Sequence, residues 1–231
     1  MRKQRLRNAP GIVLVILLVG VLGYFLGWSK VLAIKSIEIS AAGNEILVTP
    51  LIEPKDIHIG LSMARVSSQR IKDDLAGMSW IEKITINRRW LARDLRITIT
   101  EHHPIAQYLD SQGRTEYFDS AGYSFISPNP PTGLPVVTFI HHDQQSRSAV
   151  AQFLAAAPGD LTIGMTSLAV DASDQILLTT TLPRYQHLVI SWGTATEIPL
   201  KVKVLRDLLA LPENRKIINV DLTNPSTPIV K

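Results

Sequence analysis

The chain has 231 residues, 24 Lys and Arg against 20 Asp and Glu, a net charge of +4, and no cysteine. Four of the cations, Arg2, Lys3, Arg5 and Arg7, stand in the first seven residues with no acid among them. The remainder is therefore balanced, which excludes the basic footprint of a nucleic-acid surface, and without disulfides stability must come from packed cores.

No charged side chain appears between Arg7 and Lys30. Gly11 to Trp28 is a near-continuous apolar run, and ~20 helical residues at ~1.5 Å each span a ~30 Å hydrocarbon core. Tyr24 and Trp28 fall where interfacial aromatics belong, and the positive-inside bias keeps the N-terminus cytoplasmic. Residues 1–10 thus read as a basic cytoplasmic tail, 11–33 as a single transmembrane helix, and the rest as exported. The rival is a cleaved signal peptide with Val31-Leu32-Ala33 as its cleavage site, but the apolar run exceeds the ~7–15 residues of such a core. Gly20, Gly23 and Gly27 share one helix face and include a G-x-x-x-G step, which predicts close packing against a partner helix.

Residues 34–103 read as a small α+β domain. Ile37 and Ile39 alternate with Ser36, Glu38 and Ser40 as a strand, ended by Gly43-Asn44. A short helix is expected after Pro50 or Pro54. A clearer one is capped by Ser67 or Ser68, with Ile71, Leu75 and Met78 on one face and Gly77 at its end. Ile84 and Ile86, then Leu95, Ile97 and Ile99 after a turn at Leu91 to Asp94, predict two antiparallel strands. The order strand, helix, helix, strand, strand lets helices cover one sheet face.

Residues 104–223 read as a β-rich α+β domain. Ile105 to Leu109, Ser111-Gln112-Gly113 and Thr115 to Asp119 form a hairpin, and Pro128, Pro130, Pro131 and Pro135 mark a loop. Val150, Phe153, Leu154 and Ala157 predict a helix stopped by Pro158-Gly159. Leu168 and Val170, Ile176 to Thr181 and Leu188 to Trp192 read as strands. Thr196 is expected to cap a helix whose Leu200, Val204, Leu205, Leu208 and Leu209 face a core. Ile217 to Leu222 closes the sheet, and 224–231 is expected to be an exposed C-terminal tail.

Catalytic settings are missing from this pattern: there is no G-x-S-x-G elbow, no cysteine nucleophile, no H-E-x-x-H and no phosphate-cradling glycine loop. His102-His103 and His141-His142 with Asp143 offer zinc-ligating chemistry, but adjacent strand residues point to opposite faces. Asp171 and Asp174 read as hairpin-turn residues in preference to an acid pair, and Trp80, Trp90 and Trp192 as core in preference to a sugar platform. No metal, cofactor or catalytic residue is assigned.

Met78-Ser79-Trp80-Ile81, then Arg88-Arg89-Trp90, Leu95 to Ile99, and Glu101-His102-His103-Pro104-Ile105-Ala106 together resemble the POTRA domain of the FtsQ/DivIB family of bacterial cell-division proteins. Phe118-Asp119-Ser120-Ala121-Gly122 with Phe125 is similar to the hairpin that opens that family's second domain. Leu91 departs from the family's proline and His102 from its commoner arginine. Beyond Phe125 the likeness rests on Gly193, Lys201, Leu205 and Val220-Asp221.

The resemblance implies a non-enzymatic, bitopic divisome scaffold of the cell membrane, placed at the division septum. It implies partners of the membrane-anchored coiled-coil FtsB/DivIC and FtsL types and the septal cell-wall synthase complex. A strand formed last in the chain is often a sheet edge, and in the family the edge near the C-terminus receives the partner. Carried over, this nominates Ile217, Ile218, Asn219, Val220, Asp221 and Leu222 as main-chain docking residues. Two other readings fit the sequence less well. A POTRA protein of an outer-membrane assembly system needs a barrel that the ~125 residues after the first domain cannot supply. A membrane-tethered cell-wall-binding or cell-wall-modifying protein lacks its catalytic constellation here.

Overall fold

The computed structural model describes residues 9–28, 32–52 and 57–231. The basic residues of the tail, Val31 and Pro54 lie outside the described residues, as do the side chains at Gly27 and Trp28. The chain divides into two compact units, Met1–Glu101 and His102–Lys231.

In the first unit, α1 (Ala9–Trp28) is a 20-residue helix. Its apolar side chains from Ile12 to Val19 are 56–65 % exposed. Side chains are described at residues 11–21, 23 and 24, and among the described residues no helix is long and apolar enough to cross a membrane.

The rest of the unit is a three-stranded sheet under two helices. β1 (Ser36–Ser40), α2 (Glu45–Ile52), α3 (Ser68–Leu75), β2 (Ile81–Arg89) and β3 (Asp94–Glu101) follow in chain order. β3 lies in the middle, parallel to β1 and antiparallel to β2. Its period-two pattern decides which face is covered: Leu95, Ile97 and Ile99 are buried while Arg96, Thr98 and Thr100 are exposed. Val48, Ile52, Ile71 and Leu75 of the two helices are buried as well.

The helix expected after Pro50 or Pro54 instead starts at Glu45, with Pro50 inside it. Ala42 and Gly43 take positive φ, 47° and 101°, and turn the chain. The Glu45 carboxylate then accepts the N–H groups of Ala41 at 3.0 Å and Gly43 at 3.4 Å. These bonds hold its pKa below the ordinary value, that from Ala41 foremost. α3 is capped as expected, Ser67 accepting from the Arg70 N–H at 3.3 Å, but it ends at Leu75, so Met78 lies beyond it in the turn to β2. Buried Asn44 donates its amide to both Glu101 oxygens, at 3.0 and 2.9 Å. That contact ties the glutamate of the closing Glu-His-His-Pro motif back to the first turn.

The second unit is a nine-stranded sheet built from β4 (Ala106–Leu109), β5 (Thr115–Phe118), β6 (Ser124–Phe125), β7 (Val136–Phe139), β8 (Met165–Val170), β9 (Ile176–Leu182), β10 (Tyr185–Gly193), β11 (Asn219–Asp221) and β12 (Ile229–Val230). Their order is β12-β11-β10-β9-β8-β7-β4-β5-β6. α4 (Gln144–Ala156) and α5 (Gly159–Ile163) connect the parallel pair β7 and β8, and α6 (Ile198–Ala210) connects the parallel pair β10 and β11. Parallel neighbours require such crossovers. The core gathers Val150 and Phe153 of α4, Leu205 of α6, and Leu178, Ile190 and Trp192 of the sheet. Phe153 and Trp192 meet edge to face with centroids 5.1 Å apart.

One expectation holds with an addition and one is corrected. Pro158-Gly159 ends α4 but also opens α5, because proline suits a helix start. α6 is not capped by Thr196, whose hydroxyl bonds Thr194 at 2.8 Å. It starts after Glu197 at φ 51°, with Pro199 in its first turn. Its buried residues are Ile198, Lys201 and Leu205, while Leu200 is 43 % exposed. Lys201 occupies a core position because its Nζ donates to the carbonyls of Trp192 at 2.8 Å and Thr194 at 3.0 Å. Burial lowers its pKa from the usual lysine value, against the pull of Glu197.

The Asp119 to Gly122 turn shows why its residue types recur. Asp119 accepts the N–H groups of Ala121 and Tyr123, both at 2.9 Å, and holds His102 at 2.7 Å. Gly122 sits at φ 77°, and a Cβ there would lie 2.6 Å from the Ser148 backbone nitrogen of α4. Gly122→Ala should therefore destabilise the second unit by about 2–4 kcal/mol, combining left-handed strain with a clash against rigid backbone. Urea denaturation followed by Trp192 fluorescence measures it, and a cost under about 1 kcal/mol would show that the turn relaxes freely.

Candidate strand-docking edge

The segment nominated for docking, Ile217 to Leu222, forms a shorter strand than expected and is not the sheet edge. β11 spans only Asn219–Asp221 and runs parallel to β10, Val189 facing Asn219, Ile190 facing Val220 and Ser191 facing Asp221. Val189 N–H donates to the Ile218 carbonyl and Leu222 N–H to the Ser191 carbonyl, both at 2.8 Å. Val220 and Leu222 are buried in the core. Alternation then puts Asn219 and Asp221 on the other side, and Ile218 is 58 % exposed at the strand's entry.

The stretch 224–231, expected to be an exposed tail, folds back and covers the outer side of β11. The Asn224 side chain accepts from Ser226 N–H at 3.1 Å and its carbonyl from Thr227 N–H at 3.1 Å. This turn, carrying Pro225 and leading to Pro228, delivers β12 antiparallel to β11, with Val230 opposite Val220 and Ile229 opposite Asp221. Sequence reasoning missed the strand because two residues after two prolines carry no period to read.

The polarity of β12 follows from its ladder. Lys231 exchanges both main-chain bonds with Asn219, its N–H donating at 3.0 Å and its carbonyl accepting at 3.1 Å. Antiparallel partners alternate between bonded and non-bonded pairs, so Val230 turns its N–H and C=O to the side that has no neighbouring strand. Ile229 is 55 % exposed beside it. The edge thus offers one donor, one acceptor and an apolar flank to an incoming extended segment.

Around this edge Asp221 is an anchoring carboxylate. It accepts from Thr223 N–H at 2.9 Å, and the Thr223 side chain first, then that N–H and the charge of Lys231 hold its pKa below the ordinary 3.8. Gly193, at φ 77°, lets β10 pass Thr223 closely, where a Cβ would stand 3.0 Å from the Thr223 Cα. A groove of about 610 Å³ runs along this side of the sheet, bordered by Ile140, Leu177, Ser191 and Asp221.

The other residues singled out in the sequence lie elsewhere. His102 stacks on Tyr123 at 4.5 Å and on Phe125 at 5.2 Å, and its neighbour His103 is exposed. His142 stacks on Tyr108 at 5.6 Å, while Asp143 caps α4 through Ser146 N–H at 2.8 Å. Among the described residues no three His, Cys, Asp or Glu side chains form a metal-holding group. Asp171 is a turn residue that accepts from the N–H groups of Ser173 and Gln175, and Asp174 takes φ 57° and accepts from Ser146. Trp80 and Trp192 are core, whereas Trp90 is 40 % exposed. At Gly20 and Gly23 an added Cβ would meet nothing within 4 Å.

Because the folded-state pKa of Asp221 is depressed, its contribution is fully present above pH 3.8 and is lost as pH falls from there through the lower folded value. Hydrogen exchange at the Lys231 and Thr223 amides should therefore accelerate in that window, and less so in Asp221→Asn. Equal acceleration in both proteins would remove Asp221 from the account.

Two comparisons bear on identity. Residues 32–102 match the POTRA domain family of the FtsQ type. The chain is also similar to the cell division protein FtsQ of Salinibacter ruber (strain DSM 13855 / M31), 26 % identical over 182 residues that cover 71 % of this chain and 69 % of that protein.

Proposed function

Since this chain belongs to the FtsQ family of bacterial cell-division proteins, with its POTRA domain at residues 32–102, we propose that it is a bitopic, non-enzymatic scaffold of the division septum. In this reading α1 anchors it in the cell membrane with residues 1–10 cytoplasmic. The exported units hold membrane-anchored coiled-coil proteins of the FtsB/DivIC and FtsL types beside the septal cell-wall synthase complex. The unbroken apolar sequence of α1 and the exposure of its apolar side chains support the anchor. The small-residue face of Gly20, Gly23 and Gly27 suits a partner's transmembrane helix.

The observation that carries the scaffold reading is the outer edge of β12. The docking residues first nominated, Ile217 to Leu222, serve as the platform, and the partner's strand adds to Val230 and so extends the sheet beyond β12. Such a site performs assembly and no turnover, so its output is the position of other proteins. Depletion in the native host should give filaments, and a fluorescent fusion a midcell band. Normal septa with a diffuse membrane signal would defeat the proposal, as would lysis in a peptidoglycan zymogram.

The edge itself is tested by Val230→Pro, which removes the outward N–H while leaving the Lys231–Asn219 bonds in place. Copurification with the partner should fall by about tenfold or more, the worth of a lost hydrogen bond plus ring crowding. Unchanged copurification would move the docking site off this edge.

A further inference from the structure

The tip of the β2–β3 hairpin is an exposed apolar loop held beside the point where the chain leaves α1. Arg89 faces Asp94 at the last rung, and four residues, Trp90 to Arg93, make the turn. Leu91 is 99 % exposed and Trp90 40 %. Arg93 closes the turn at φ 60°, in the left-handed region that costs a non-glycine residue strain.

What holds it there is the exit segment itself. Arg93 Nε donates to the Ala33 carbonyl at 2.8 Å, and the Arg93 carbonyl accepts from Lys35 N–H at 2.7 Å. A second loop reaches the same segment, Ile34 N–H donating to the Leu61 carbonyl at 2.8 Å and Gly60 N–H to the Ile34 carbonyl at 2.9 Å. That loop carries Ile59, 69 % exposed. Ala33 is five residues beyond Trp28, the last residue of α1, so these loops lie within roughly 17 Å of the helix end by chain length alone.

We infer that the Trp90–Arg93 loop, with Ile59 beside it, is a second membrane contact of this protein that seats on an anionic bilayer surface. The inference rests on α1 being the membrane anchor. Leu91 and Ile59 enter the boundary between headgroups and acyl chains, Trp90 takes the interfacial position that suits indole, and Lys35 and Arg89 face lipid phosphates. Among the described residues the acid Asp94 lies beside them, 3.6 Å from Arg89. Together with the helix, such a contact fixes the tilt of the POTRA unit on the membrane, which a single covalent tether leaves free.

The chain has no cysteine, so single substitutions place one fluorophore each. The full chain, as Leu17→Cys, Leu91→Cys or Glu82→Cys, is labelled with an environment-sensitive dye and reconstituted into phosphatidylcholine–phosphatidylglycerol vesicles carrying nitroxide lipids. Glu82 lies on β2 seven residues from Arg89, roughly 23 Å along the strand, and serves as the distant control. Quenching at Leu91 by nitroxides near the headgroup should exceed that at Glu82 by about threefold or more, with deep nitroxides quenching Leu17. Quenching at Leu17 with Leu91 no different from Glu82 would overturn this inference, leave the anchor standing and assign the loop to a protein partner. No quenching at Leu17 would overturn the anchor and this inference with it.

Discussion

The parallel pairing of β1 with β3 governs the first unit. Ser36 lies opposite Asp94 and Ser40 opposite Thr98, so the start of β1 and the start of β3 share one end of the sheet. β3 starts at the β2–β3 turn, which places that turn beside the residues leaving α1. Had β1 paired antiparallel to β3, the turn would sit at the far end, about a strand length away. The bonds between Arg93 and the main chain at Ala33 and Lys35 follow from this direction of pairing. So does the exposed cluster of Ile59, Trp90 and Leu91 at one pole.

In the second unit the equivalent constraint is the parallel step from β10 to β11. A parallel neighbour cannot be reached by a tight turn, so α6 must cross over the sheet, and its inner face has to fit against Trp192. Lys201 fills that place with an aliphatic stem and spends its charge on two carbonyls. The same step sets β11 beside a core strand, where Val220 and Leu222 are fully covered. At this end of the sheet the short β12 is the strand whose outer main-chain groups have no neighbouring strand, and this gives the proposed docking edge its small size and defined polarity.

Both proposals share one physical theme: the protein acts by presenting surfaces at a controlled distance from a membrane. A strand edge recognises main chain more than side chain, so it tolerates sequence change in the partner as long as extended backbone is offered. A basic, aromatic loop recognises a bilayer without reading any sequence. Neither device needs a catalytic group: His102 and His142 stack on aromatic rings, Asp119 holds a turn and Asp143 caps α4.

The amino-acid sequence by itself determined the apolar helix, the strand, helix, helix, strand, strand order of the first unit and the burial of Leu95, Ile97 and Ile99. Each is written in a local period of 3.6 or 2 that survives any tertiary arrangement. The Asp119 to Gly122 hairpin and the Ser67 cap were legible for the same reason, since their bonds close within a few residues. The start of α2 was not, because the Glu45 carboxylate and two positive-φ residues overrode the proline signal. Val204, Leu205, Leu208 and Leu209 of α6 pack against the core as their spacing implied, but Leu200 does not and Lys201 does, because a lysine counts as polar until carbonyls come within reach of its Nζ. Only the tertiary structure decided that Ile217 to Leu222 is flanked on both sides, that two residues after Pro228 form the outer strand, and that Trp90 stands at the surface while Trp80 lies in the core. Those facts depend on which segments distant in sequence pair in space, and no local periodicity records that choice.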